Sequence, residues 1–254
     1  MSDVRHEIDG RLTGIECEYS VRVLFSVESG SRAWGFASPN SDYDVRFVYV
    51  HPLDHYLRLD KQRDVIEQMS TNHVFDLSGW DLPKLLALLH SSNPTIFEWD
   101  ASPICYRTTE FWKTIRKLLP AYFSPKKAAF HYLNTATSNE KAYLRADQVK
   151  LKKYFYALRP LLACRWVLER GTPPPMPFVD LADALFPPTL RPVLNDLLTV
   201  KTQAYELGLG KRIPELDSYI QEALAELSDQ ADALPINATP GWEPLNGLFR
   251  ATVS

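Results

Sequence analysis

The sequence predicts an α+β fold: a mixed sheet with flanking helices, followed by a helical carboxyl-terminal region. Three observations carry that expectation. Val21 to Val27 (VRVLFSV) is a short apolar run rich in β-branched and aromatic residues, as a buried strand requires. Tyr43 to Val50 (YDVRFVYV) alternates Tyr, Val, Phe and Tyr against Asp, Arg, Val and Val, so its carboxylate faces away from the aromatic side. From about Glu110 the periodicity is helical almost to the end, with Pro and Gly runs as separators.

The remaining elements follow in order. Gly30-Ser31 turns the chain, and a short helix is predicted near Ser31. Ser38 to Ser41 (SPNS) is turn chemistry. Short strands are predicted at Tyr56 to Leu59, Asp64 to Met69 and Asn72 to Leu77. Asp81 to Leu89 (DLPKLLALL) places an acid in a first turn and leucines on one face, so a helix follows. Further helices are predicted at Thr108 to Leu119, Pro125 to Asp147, Leu151 to Glu169, Leu190 to Gly208 and Pro214 to Ala233. The tail from Pro235 to Ser254 has little periodicity and reads as a surface wrap. The change in character after Asn93-Pro94 places a domain boundary near Ser102, giving domains 1–102 and 103–254.

With 254 residues the chain can bury a sizeable core without staples. Its net charge of −3 excludes a general polycation for nucleic acid, so any contact with a nucleotide needs a local basic cluster. Cys17, Cys105 and Cys164 are odd in number and lack metal-ligand spacing. They read as reduced, mostly buried thiols of a cytosolic protein. No apolar run approaches the ~20 residues that cross a bilayer, and no signal peptide is visible.

The chemistry concentrates in Gly30 to Arg46 (GSRAWGFASPNSDYDVR). Side chains two apart on a strand share a face, so Asp42 and Asp44 can hold divalent cations between them. Mg²⁺, or Mn²⁺, takes hard oxygen ligands, commonly two carboxylates plus substrate phosphate. Asp76, on a later predicted strand behind Val74 and Phe75, is the candidate third carboxylate. It would let two ions share the site. Gly30 lets a phosphate approach the backbone, Ser31 offers a hydroxyl and an amide, and Arg32 adds charge. Neither Gly-Ser nor Asp-x-Asp is informative alone. The order strand, Gly-Ser, turn, Asp-x-Asp, later Asp is jointly demanding.

That order resembles the nucleotidyltransferase superfamily that includes DNA polymerase β. More narrowly, GSRAWGFASPNSDYDVRFVYV, FDLSGWDLPKLLALLHSSNPTIFEW and KLKKYFYALRPLLACRW are similar to a bacterial and phage family of RNA-repair-pathway DNA polymerase β-like proteins, from about Ile15 to Met176. The resemblance implies a polymerase β-like catalytic fold, Mg²⁺ dependence and an NTP substrate. It carries Gly30 and Ser31 over as phosphate contacts and Asp42, Asp44 and Asp76 as metal ligands. It leaves the acceptor open: an RNA or tRNA end, a protein side chain or a small molecule are all compatible.

Lys150 to Arg159 (KLKKYFYALR) is basic and aromatic within one predicted helix. Lys152, Tyr156 and Arg159 fall at i, i+4 and i+7, and Lys153 adjoins Tyr156, so this face is a candidate triphosphate grip. Lys141 and His131 are possible contributors. His51, His55, His73, His90 and His131 show no metal spacing and read as structural, and Trp80, Trp99 and Trp166 as core. Two rival activities stay open: a non-catalytic nucleotide-binding module on the same fold, and a metal-dependent phosphohydrolase.

Overall fold

The computed structural model describes residues 2–203, 208–236 and 238–254. It opens with a helix that the polar amino terminus does not advertise, α1 (Ser2–Tyr19). Ile8, Leu12 and Ile15 recur at i, i+4 and i+7 and are fully buried. Then come β1 (Arg22–Ser29), α2 (Gly30–Ala33), β2 (Tyr43–Val50), α3 (Leu53–Tyr56), β3 (Val65–Met69) and β4 (Phe75–Asp81). Next are α4 (Leu82–His90), α5 (Pro94–Asp100), β5 (Cys105–Thr108) and α6 (Glu110–Tyr122). The five strands form one mixed sheet in the order β3-β4-β2-β1-β5. β2 and β4 are parallel and the other pairs antiparallel.

The alternation read in β2 is real. Val45, Phe47 and Tyr49 join Phe75 and Leu77 of β4 and the apolar stripe of α1 in one cluster. Each such side chain withdrawn from water is worth about 1.5–3 kcal/mol. α4 begins at an Asp81 cap, whose side chain accepts from the Leu82 N–H, and buries Leu82, Leu85, Leu86 and Leu89. Phe25 of β1 stacks on Trp112 of α6 with ring centroids 3.6 Å apart.

The second half is helical as expected. It comprises α7 (Pro125–Tyr143), β6 (Gln148–Lys150), α8 (Lys153–Arg170), α9 (Phe178–Leu185), α10 (Arg191–Gln203), β7 (Leu209–Lys211) and α11 (Pro214–Ala233). A final helix, α12 (Glu243–Val253), closes the chain. α8 is largely buried and packs with α7 and α11 through Ala129, Ala157, Leu161 and Leu227. β6 and β7 pair as a small antiparallel ribbon. The helix expected to reach Gly208 is described to Gln203; residues 204–207 of that expectation lie outside the described residues.

Several expectations need correction. Tyr56 to Leu59 is not a strand; the chain makes the short helix α3 after Pro52, whose φ of −56° suits a helix entry. The strand expected over Asn72 to Leu77 runs instead from Phe75 to Asp81. The tail is not all irregular, because Glu243–Val253 is helical despite Pro244 and Gly247. The chain groups into two compact units, one of residues 1–33, 42–122 and 239–254, the other of 34–41 and 123–238. This grouping runs differently from a cut after residue 102, because β5 completes the sheet and α6 stacks on β1. Cys17 is exposed and Cys105 half-buried, so only Cys164 is a fully buried thiol. Among the described residues no helix is long and apolar enough to cross a membrane.

Candidate active site

The parallel pairing of β2 with β4 sets Asp44 directly beside Asp76. Antiparallel pairing with β1 sets Asp44 beside Ser29, the residue before Gly30. The three pieces of the motif therefore meet through strand register, with the Gly30-Ser31 turn on one side of Asp44 and Asp76 on the other. Asp42 lies just before β2 and is exposed.

Gly30 has φ +61°, a left-handed conformation that side chains rarely adopt, and an ideal Cβ there would stand 2.0 Å from Asp44 Oδ2. Two independent constraints thus require glycine, and the second comes from the carboxylate itself. Ser31 and Arg32 follow within α2, both partly exposed. The Arg32 guanidinium lies 3.7 Å over the Tyr43 ring, and its Nε donates to the Asp42 carbonyl at 2.9 Å. Arg32 thereby fastens α2 to the start of β2 and fixes the backbone of Asp42.

Arg46 is two residues beyond Asp44, hence on its face of β2. Its Nη2 donates to Asp44 Oδ1 at 3.2 Å and to Asp76 Oδ2 at 2.9 Å. Its Nη1 donates to the carbonyls of Val45 and Asp76. Two carboxylate oxygens from neighbouring strands therefore lie within 3.2 Å of one nitrogen. Both acids stay partly exposed, with side chains 22% and 28% accessible.

The Asp44 carboxyl is raised above its ordinary value. Burial is the main cause, and the charges of Asp42 and Asp76 add to it; Arg46 and Arg32 act the other way.

A fourth carboxylate lies beneath. Glu28 of β1 is completely buried. Its Oε1 accepts the Asp44 backbone N–H at 2.8 Å, and its Oε2 accepts the Tyr106 hydroxyl from β5. Burial pushes Glu28 up to about 7; its two hydrogen bonds oppose the rise, and the Asp44 charge adds to it. Tyr106 is pushed up as well, by burial and by donating to Glu28. Sequence reasoning missed this pair. The signal present was a lone acid at the end of an otherwise apolar strand.

Lys152, Lys153, Tyr156 and Arg159 belong to the second unit. Lys153 and Tyr156 adjoin as their spacing implies, with the Lys153 ammonium 4.4 Å from the Tyr156 ring centroid and 3.8 Å from that of Tyr143. Lys152 is the residue before α8 and is partly exposed. Arg159 departs from the expected triphosphate-gripping face. It is 3% exposed, donates to the Met176 carbonyl and lies 4.9 Å over Trp34. A guanidinium held this way is a structural clasp, because buried arginine donors need partners. Trp99 is buried and packs on Trp80, as core tryptophans do.

The donor set fits a hard divalent cation. The acids supply carboxylate oxygens that are partly open, and glycine leaves room beside Asp44 Oδ2 that a Cβ would fill.

Comparison with known proteins shows which family the chain resembles. The "Uncharacterized protein YcgL" of Bacillus subtilis (strain 168) is 41% identical over 254 residues, covering 98% of this chain and 96% of that protein. A crystal structure of a nucleotidyltransferase-like protein from Exiguobacterium sibiricum 255-15 is similar at a TM-score of 0.30 and 13% identity, over 89% of this chain and 75% of that one. The model of the RNA repair pathway DNA polymerase beta family matches residues 4–251. The chain belongs to the RNA repair pathway DNA polymerase beta family.

Proposed function

We propose that the protein is a metal-dependent nucleotidyltransferase that moves a nucleoside monophosphate from an NTP to an acceptor oxygen. The observation that carries this reading is the convergence of Asp44 and Asp76 on one Arg46 nitrogen, beside a glycine that keeps the space at Asp44 open. Family membership supports it.

In this reading Asp42, Asp44 and Asp76 hold Mg²⁺ or Mn²⁺. Bound there, the metal would neutralise the phosphates and acidify the attacking hydroxyl. The acceptor oxygen attacks the α-phosphorus, the bond to the β-phosphate oxygen breaks, and pyrophosphate leaves. Asp76 takes the acceptor's proton. The Ser31 hydroxyl and the backbone at Gly30 hold the β- and γ-phosphates, with Arg32 adding charge. Such chemistry asks for positioning and charge compensation more than for covalent catalysis. Glu28 fixes the Asp44 backbone and so the aim of its carboxylate.

For the acceptor we favour an RNA or tRNA end, in keeping with the family's description. A net charge of −3 disfavours long duplexes more than a short single-stranded end. The test is incubation with each labelled NTP, Mg²⁺ and total cellular RNA, with pyrophosphate measured in parallel. Label in an RNA fraction with matching pyrophosphate supports the proposal. Free phosphate or nucleoside monophosphate without a labelled acceptor would make the enzyme a phosphohydrolase. Nucleotide binding without turnover would make it a regulatory module.

A further inference from the structure

At the opposite ends of the same two strands lies a second convergence of ligand-type side chains. Tyr49 and Asp81 are register partners near the carboxyl ends of β2 and β4, as Asp44 and Asp76 are near the amino ends. Five residue steps along each strand separate the two pairs, about 16 Å at the usual rise. His51 immediately follows β2, and His55 stands one turn on, within α3. Ligand atoms of His51, His55 and Asp81 all lie within 4.8 Å of one another. Spacing alone gave no hint of this, because Asp81 arrives through the sheet.

Three features separate this cluster from an accidental one. The Asp81 carboxylate is 5% exposed and is oriented on one oxygen only: Oδ1 accepts the Tyr56 hydroxyl at 2.6 Å and the Leu82 N–H at 2.7 Å. The other oxygen takes no part in those bonds. The same Tyr56 hydroxyl accepts the His51 N–H at 2.9 Å, so one phenol fixes both a histidine backbone and the carboxylate. Outer groups that orient ligands in this way are what metal centres need. Finally, among the described residues neither imidazole makes a hydrogen bond through its ring nitrogens. The two rings instead stack 3.5 Å apart at 4°.

We propose that His51, His55 and Asp81 form a binding site for a borderline transition-metal ion of the Zn²⁺ class, separate from the acidic site. Two imidazoles and a carboxylate are a donor set for Zn²⁺, with Ni²⁺ and Cu²⁺ as competitors. Mg²⁺ would ask for oxygens only. Three protein ligands leave a fourth position for water or another donor. His51 also borders a cleft of about 290 Å³ shared with Arg22, Thr252 and Ser254. Each imidazole lone pair lies in its ring plane, and stacked parallel planes cannot both aim at one point. Uptake of the ion therefore unstacks the rings. The ion would tie the end of β2, α3 and the cap of α4 together.

The proposal does not depend on nucleotidyl transfer, and the experiment keeps the two apart. Asp44→Asn protein, whose acidic site is impaired, is stripped with a chelator and titrated with Zn²⁺ in excess Mg²⁺ against a chromophoric competitor. Co²⁺ absorption reads the ligand geometry. The expected result is one Zn²⁺ per chain in the parent and in Asp44→Asn, with Co²⁺ bands of a nitrogen- and oxygen-ligated site. In His55→Gln the affinity falls at least tenfold, roughly the low end for losing part of a metal centre. His55 is partly exposed and, among the described residues, its ring makes no hydrogen bond, so this variant keeps its fold, checked by circular dichroism. His51→Gln gives a second reading that leaves the Asp81 cap intact. Binding that disappears in Asp44→Asn would assign the ion to the acids and overturn the proposal. So would unchanged affinity in both histidine variants, or no uptake by the parent.

Discussion

Gly30 and Asp44 are packed against each other so closely that the smallest side chain at position 30 would collide with the Asp44 carboxylate. The turn and the acid are thus one mechanical unit. β1 pairs Ser29 with Asp44, Gly30 then bends away at φ +61°, and the carboxylate fills the space the bend leaves. In the proposed function, the turn that would hold the polyphosphate and the acid that would hold the metal cannot be tuned separately.

Gly30→Ala follows directly. The Cβ position 2.0 Å from Asp44 Oδ2 and the left-handed backbone both oppose the methyl group. Stability should fall by about 1–3 kcal/mol, and nucleotidyl transfer by on the order of 100-fold, since Asp44 must move. Chemical denaturation and pyrophosphate release check the two parts. A fully active Gly30→Ala enzyme would show that this contact does not set the site.

Arg46 supplies the positive charge between Asp44 and Asp76 in the metal-free protein. Arg46→Met should lower metal-free stability by about 1–2 kcal/mol, as partly exposed charge-assisted bonds do. Because the acids then repel without relief, Mg²⁺ should stabilise the variant more than the parent. Thermal unfolding in chelator and in Mg²⁺ measures both. An equal or smaller Mg²⁺ response in Arg46→Met would count against this role.

Glu28 makes stability depend on pH. Its carboxyl ionises near 4.5 when unfolded and near 7 when folded, so between these values the folded chain holds more protons. Stability therefore declines as pH rises through that window, and the cost is fully present above about 7, on the order of 3 kcal/mol at most. Glu28→Gln should flatten this decline in chelator-treated protein, read by denaturant unfolding at several pH values. A parent-like slope in the variant would remove Glu28 from the account.

How much of this was legible in the chain depends on how local each relationship is. Gly30, Ser31, Asp42 and Asp44 sit within 15 residues, and the alternation in YDVRFVYV correctly put Asp44 opposite the buried aromatics. That Asp76 is the register partner of Asp44 is a long-range fact. It depends on how far β4 extends, and its start was misplaced by three residues. Arg46 was visible on the face of Asp44, but its second partner arrives only with β4. Glu28 and Tyr106 meet across two strands 78 residues apart, which no local pattern encodes. α1 was missed although Ile8, Leu12 and Ile15 carry a helical stripe, because the polar residues between them masked it. Pro244 and Gly247 hid α12; its cap residue Trp242 packs on His90 and its Phe249 on Tyr56, and tertiary contact there overrides propensity. Arg159 read as part of a triphosphate grip because i+7 spacing cannot tell an open face from a contact with Met176 and Trp34.

The most direct measurement is the melting temperature of the parent and of Asp44→Asn, each with chelator and with saturating Mg²⁺. A ligand at 100 times its dissociation constant adds about 2.7 kcal/mol to the folded state, so the parent should melt several degrees higher in Mg²⁺. Asp44→Asn should show no such rise while melting normally in chelator. An equal Mg²⁺ response in both proteins would contradict the assignment of Asp44, and with it the nucleotidyl-transfer site.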